Sequence, residues 1–329
     1  MKISYIKPIL IIALLLCASH ARAADMLYTD HPLAGKIWDM NSRSFIDEAA
    51  LLKRINMIDV LLLGETHGNP RHHALQLKML KARIASGSRP ALMMEQLNAE
   101  NQPALDMALS AGEHDEVMKR VFTLVKFSNA QDYQPLLAIA IDNKMPIIAA
   151  NIPNQWLQPA IWKGYAAFDA KEIKRLKVEE VWNDQRQAYL ASRMGGAHCD
   201  KLRDELRVGL TRSQRLKDAM MVDSAVASIP RGLVGIVGSG HARRDIGLPL
   251  YFAARDPKAR ILSIGFSEVS PGVTDPKTYL ADSATGEAPF DVIWFTPRVD
   301  RADPCADFQM PEKSAPSSDE QVPKKDSGI

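Results

Sequence analysis

The stretch Asp59-Val-Leu-Leu-Leu-Gly64-Glu65-Thr66-His67-Gly68-Asn69 decides the fold. Its apolar residues run together without polar alternation, which predicts a strand buried on both faces, as in parallel sheets. Gly64 permits a tight turn and close backbone approach. A carboxylate and an imidazole follow just past the strand's carboxyl end, where ligands settle in open α/β sheets. The device recurs in Leu233-Val-Gly-Ile-Val-Gly238-Ser239-Gly240-His241, which again sets a histidine three residues after a glycine. A third run, Ala91-Leu-Met-Met-Glu95, leaves a charge after four apolar residues.

Outward from these runs, short apolar stretches alternate with longer helical ones. Strands are predicted at 59–63, 91–95, 146–150, 233–237, 260–267 and 291–295. Helices are predicted at 72–85, 101–111, 113–126, 133–143, 171–181 and 200–227. The order predicts an α/β domain with a mostly parallel central sheet flanked by helices, preceded by a small N-terminal hairpin over 35–46. No linker or internal repeat divides the chain, so one domain over 24–310 is expected. The tail 311–329, with Pro311, Pro316, Ser317 and Ser318 among mixed charges, has little to bury and is expected to be disordered.

Glu65, His67, Glu95 and His241 thus converge from three strand ends. Two imidazoles with one or two carboxylates suit acid-base chemistry or a divalent metal held by His67, Glu95 and His241. Singly, each is better explained structurally, the histidines as hydrogen-bonded strand ends and the glutamates as caps of neighbouring helices; together they favour a site. Asn151, Arg243 and Arg244 also follow strands, and the arginines could grip carboxylates or propionates; solvated charges at a helix start explain them as well. His72 and His73 open a helix, where solvent-facing placement is the commoner one. His198 beside Cys199 resembles a metal pair. Trp156, Trp162, Tyr165 and Phe168 crowd one segment of a chain with only 6% aromatics. They read as core packing or as a docking surface for a flat apolar ligand or second subunit.

Residues 1–23 read as a cleavable signal peptide: Lys2 and Lys7, the apolar run from Ile9 to Leu16, then Ala21-Arg22-Ala23. Periplasmic export is the expectation. Lipid anchoring at Cys17 is disfavoured by Leu16, where a small residue is needed. Loss of Lys2, Lys7 and Arg22 leaves 38 basic against 39 acidic residues, a net charge of −1 that argues against nucleic acid as partner. Cys199 and Cys305 would remain, an even pair most simply joined as a disulfide in an oxidising compartment. The chain has no Gly-x-Ser-x-Gly elbow, no phosphate loop and no Cys-x-x-Cys-His haem attachment.

With those residues in view the chain resembles the ChaN family of haem-binding uptake proteins, in the Tiki superfamily that includes metal-dependent peptidases. The resemblance rests on ordered pieces over roughly 35–306. They are Leu63-Gly-Glu-Thr-His67, Met94-Glu95, Asp132-Tyr133-Gln-Pro135-Leu136, Ala150-Asn151, His198-Cys199, Gln214-Arg-Leu-Lys-Asp218-Ala-Met220, Gly240-His-Ala-Arg243-Arg-Asp-Ile-Gly247-Leu-Pro249 and Trp294-Phe-Thr-Pro297 with Pro304-Cys305. It implies haem as cofactor and a role in haem or iron uptake, with His67, His241 and Tyr133 as axial-ligand choices and Asn151, Arg243 and Arg244 beside them. Together with the aromatic segment it implies a homodimer sandwiching a planar ligand and working with outer-membrane uptake machinery. The superfamily's other branch implies the alternative, a metal-dependent hydrolase with His67, His241 and Glu95 on the ion and Glu65 as base.

Overall fold

Strands form where the apolar runs fall. In the computed structural model, which describes residues 25–110, 112–124, 130–280, 283–303 and 305–306, they are β1 (Met26–Leu27), β2 (Ile37–Asp39), β3 (Ser44–Ile46), β4 (Val60–Glu65), β5 (Ala91–Asn98), β6 (Ile147–Asn151), β7 (Leu233–Gly238), β8 (Ile261–Glu268), β9 (Val292–Thr296) and β10 (Arg298–Val299). Eight of them make one sheet in the order β3-β2-β9-β8-β4-β7-β5-β6. From β9 to β6 every pairing is parallel, while β2 runs antiparallel to β9 and β3 folds back on β2 as the expected hairpin. The segments 1–23 and 311–329 lie outside the described residues.

Side chains alternate across this sheet, so each continuous apolar strand supplies two cores. Leu61, Leu63, Leu92, Met94, Ile147, Val234, Ile236 and Ile264 pack one face. Val60, Leu62, Ala91, Met93, Ile148, Leu233 and Val237 pack the other, against the long helix Asp204–Ala225 and the helix Leu248–Arg255. Fully burying each such leucine, isoleucine, valine or methionine side chain is worth about 1.5–3 kcal/mol. That is why these strands stay legible without alternation.

The helix Pro70–Ala85 shows how the sequence sets the site's floor. Asn69 caps it, accepting from the Arg71 N–H at 2.9 Å, and Pro70 occupies its first turn. His72, Gln76, Met79 and Arg83 form a buried stripe at helical spacing. The Asn69 amide also donates to Glu268 at 2.7 Å, tying the helix to β8. Asn69→Ala is therefore expected to cost about 1–2 kcal/mol, read as a lower urea midpoint at unchanged slope.

Three expectations need correction. The predicted helix 171–181 is only Ala170–Arg175. The helix predicted from 200 starts at Asp204, because Cys199 and Asp200 adopt positive φ of 63° and 53°, which no right-handed helix accommodates. Helices Glu48–Ile55, Asn154–Trp162, Asp184–Ala197 and Leu248–Arg255 were not predicted; Pro159 inside the second and Gly195-Gly196 in the third hide the pattern. Cys199 and Cys305 are joined, as the cysteine count suggested, with their Cα atoms 5.5 Å apart.

Candidate functional site at the strand ends

Topology does most of the assembly. The chain leaves β4, skips a position to form β5, and later returns to insert β7 between them. The carboxyl ends of β4, β7 and β5 thus lie side by side, with Glu65 in register with Gly238. A register shift in β5 between Met94 and Asn98 bends the strand where Glu95 projects.

Glu65 is buried and anchors one half of the site. Its Oε1 lies 2.8 Å from His67 Nδ1 and accepts from the Tyr133 hydroxyl, while its Oε2 accepts from Gln76 Nε2 at 2.6 Å and faces His73 Nε2 at 3.3 Å. Burial pushes its carboxyl up, but the contacts from His67, His73 and Tyr133 outweigh that and bring its pKa down to about 2. Burial of the Tyr133 phenol, and then the Glu65 charge beside it, hold it far above its ordinary range. The His67 side chain is 42% exposed, the solvent-facing member of the group. Burial works against its charged form, yet the neighbouring Glu65 and Glu95 raise its pKa overall.

The other half centres on His241. Its Nδ1 lies 2.5 Å from Asp218 Oδ1 and its Nε2 3.4 Å from Glu95 Oε1, all three groups being almost completely buried. Burial disfavours the imidazolium, but two flanking carboxylates win and raise its pKa to about 10. Glu95 also accepts the Gly238 N–H at 2.7 Å, and with His241 and His67 beside it, its carboxyl falls well below the usual range despite burial. Burial of Asp218 pushes its carboxyl upward, only partly offset by His241. Gly238 joins the halves: a β-carbon there would stand 3.0 Å from His67 Nε2 and 3.5 Å from Glu95 Oε2. Only glycine leaves that approach open.

The structure therefore brings Glu65, His67, Glu95 and His241 together and adds Asp218, Gln76 and His73. The other residues named from the sequence are held in contacts of their own. Tyr133 is completely buried with its hydroxyl donated to Glu65, so it orients that carboxylate and faces no open surface. Arg243 is buried and gives two bonds to Asp245, at 2.9 and 2.7 Å, and Arg244 pairs with Asp291 at 2.7 Å, beside the start of β9 and away from the rim. Neither offers its charge to a ligand at His67. Asn151 is half-buried, its amide oxygen accepting from the Ile152 N–H. His72 and His73 are buried rather than solvent-facing. His72 accepts from the Thr66 N–H at 2.8 Å, and burial lowers its pKa to about 3, so it stays neutral. His198 Nδ1 contacts the Met194 carbonyl at 2.7 Å, and its neighbouring sulfur is in the disulfide, which removes the metal pair.

At His241, Nδ1 faces Asp218 and Nε2 faces Glu95, one of the other two residues expected on a metal. Among the described residues no group of three or more His, Cys, Asp or Glu side chains is arranged to hold one. The arrangement suits protonated imidazoles held by carboxylates, with one imidazole presented to solvent.

A family profile described as haem-binding uptake, Tiki superfamily, ChaN matches residues 51–252, a span that includes all four strand-end residues. No curated protein matches the chain. Among solved structures, "Cofacial heme binding to ChaN of Campylobacter jejuni" superposes with a TM-score of 0.63 at 19% identity, covering 78% of this chain and 95% of that one. It has the same fold. A Bacillus cereus protein matches more loosely, with a TM-score of 0.43 at 14% identity over 76% of this chain and 92% of its own.

Proposed function

Because the chain belongs to the family of haem-binding uptake proteins, Tiki superfamily, ChaN, we propose that it is an exported protein that binds haem and holds or passes it during iron uptake. The family match across the strand-end residues carries this reading. The disulfide supports export, since such bonds persist in oxidising compartments. On this reading residues 1–23 are a signal peptide and the protein works in the periplasm. A haem-sandwiching homodimer and transfer to or from outer-membrane machinery belong to the same proposal.

Of the three proposed axial ligands, His67 fits. A ligating histidine is commonly oriented by a carboxylate on its other ring nitrogen, and Glu65 stands in that position at His67 Nδ1. Tyr133 and His241 are buried in pairs and would have to be unpacked. Haem would bring an iron centre open to axial ligation, while this chain's part is to fix the imidazole's direction and keep a negative charge beside it. Titration of the purified protein with micromolar hemin is expected to give a Soret shift that His67→Ala weakens at least tenfold. An unchanged hemin spectrum with the wild-type protein would count against haem binding; an undiminished shift in His67→Ala would count against this ligand alone.

A further inference from the structure

Arg243 and Arg244 being committed to Asp245 and Asp291, the cations for an anionic ligand must come from elsewhere. A cavity of about 410 Å³ opens between the segment after helix Asn154–Trp162 and the helix Asp204–Ala225. Its walls include Lys163, Tyr165, Glu179, Val208, Arg212 and Arg215. Three cations face one carboxylate there, a surplus of two positive charges.

Arg215 is the informative one. It is 6% exposed, yet among the described residues it forms no ion pair, and its Nε is buried with no hydrogen-bond partner. Its remaining contacts are all to neutral groups: Gln187 at 3.3 Å, the Val178 carbonyl at 3.4 Å, and the faces of Trp182 and Tyr165, 4.8 and 5.6 Å from the ring centres. Burying a cation without an anion is costly, and the two ring faces offset only part of that cost, so an anion brought to this wall would be stabilised. Arg212 is exposed and lies across Gly164, where a β-carbon would meet its Nη1 at 3.2 Å. That glycine, at φ 68°, both turns the chain and leaves room for the guanidinium. Beside the cations, Val208 in the wall and Trp162 next to Lys163 are among the few large apolar side chains left exposed, at 43% and 44%. Cations in a recess with apolar groups at its edge match a flat apolar ligand that carries carboxylates on one side.

We propose that this cavity seats the haem propionates, with Arg212 and Lys163 at its mouth and Arg215 at its back, a subsite that rests on haem being the ligand. The surplus of two charges equals the charge of two propionates, and guanidinium forks suit carboxylates. The test titrates hemin and its dimethyl ester into wild-type protein and into the double variant Arg212→Gln, Lys163→Gln, following the Soret band. The expected result is a hemin Kd raised at least tenfold in the variant, and an ester that binds both proteins equally and more weakly than hemin binds wild type. Arg215→Gln, checked for folding by circular dichroism, should weaken hemin further. Unchanged hemin affinity in the double variant, or an ester bound as tightly as hemin by wild type, overturns the subsite while leaving haem binding intact. Absence of any wild-type shift with hemin removes haem binding and the subsite together.

Discussion

His241→Ala is expected to lower unfolding free energy by about 3–5 kcal/mol, the loss that follows when one partner of a buried charge group is removed. The imidazole lies between Asp218 at 2.5 Å and Glu95 at 3.4 Å, and alanine would leave two buried carboxylates without the cation they share. The pH dependence gives the sign. His241 has its pKa raised from 6.5 to about 10 on folding. Its contribution is thus fully present below pH 6.5 and is lost as pH rises through about 10. Glu65 behaves oppositely: its pKa falls from 4.5 to about 2, so its contribution is present above 4.5 and is lost as pH falls through about 2. Urea unfolding at pH 5, 7.5 and 9.5 should show wild-type stability declining at the alkaline end and His241→Ala lacking that decline. A parallel decline in both proteins would mean that other groups carry it.

Loss of the Cys199–Cys305 bond should be the second large effect. It closes a 106-residue separation, and the chain-entropy account gives about 4–5 kcal/mol for a loop of that size, within an observed range of about 2–5. Without it, Cys305 would depend on the short β1–β10 pairing nearby, two residues on each strand. Cys199→Ser, Cys305→Ser and the double variant should lose the same amount, because each abolishes one bond. Reductant should bring wild type to their level. Stability indifferent to reductant would show that the bond constrains nothing.

Much of the fold is legible in the sequence, for identifiable reasons. Val60–Leu63, Ala91–Met94 and Leu233–Val237 are apolar on both faces because both faces are covered, so their strands and parallel class emerge from the sequence. Glu65, Glu95 and His241 were visible because charge at the end of such a run is costly unless the fold supplies partners. The partner roles of Asp218 and Gln76 were not visible. Asp218 sits on a helix whose buried stripe, Thr211, Arg215, Asp218 and Val222, mixes charge with apolar residues, so spacing alone could not separate the buried acid from solvated neighbours. Gln76 is the same case on Pro70–Ala85. Arg243 and Arg244 misled because sequence places them after β7, whereas the chain turns back through Ala242, whose carbonyl accepts from Ser263 in β8. Nothing local reveals that reversal.

The sharpest test is the protonation of His241, followed by the nitrogen chemical shifts of its ring in wild-type protein and in Glu95→Gln. Wild type should keep both ring nitrogens protonated through neutral pH and lose a proton near pH 10, and Glu95→Gln should bring that titration downward. A His241 ring that is neutral at pH 7 and insensitive to Glu95 would mean that the strand ends meet without acting as one charged unit.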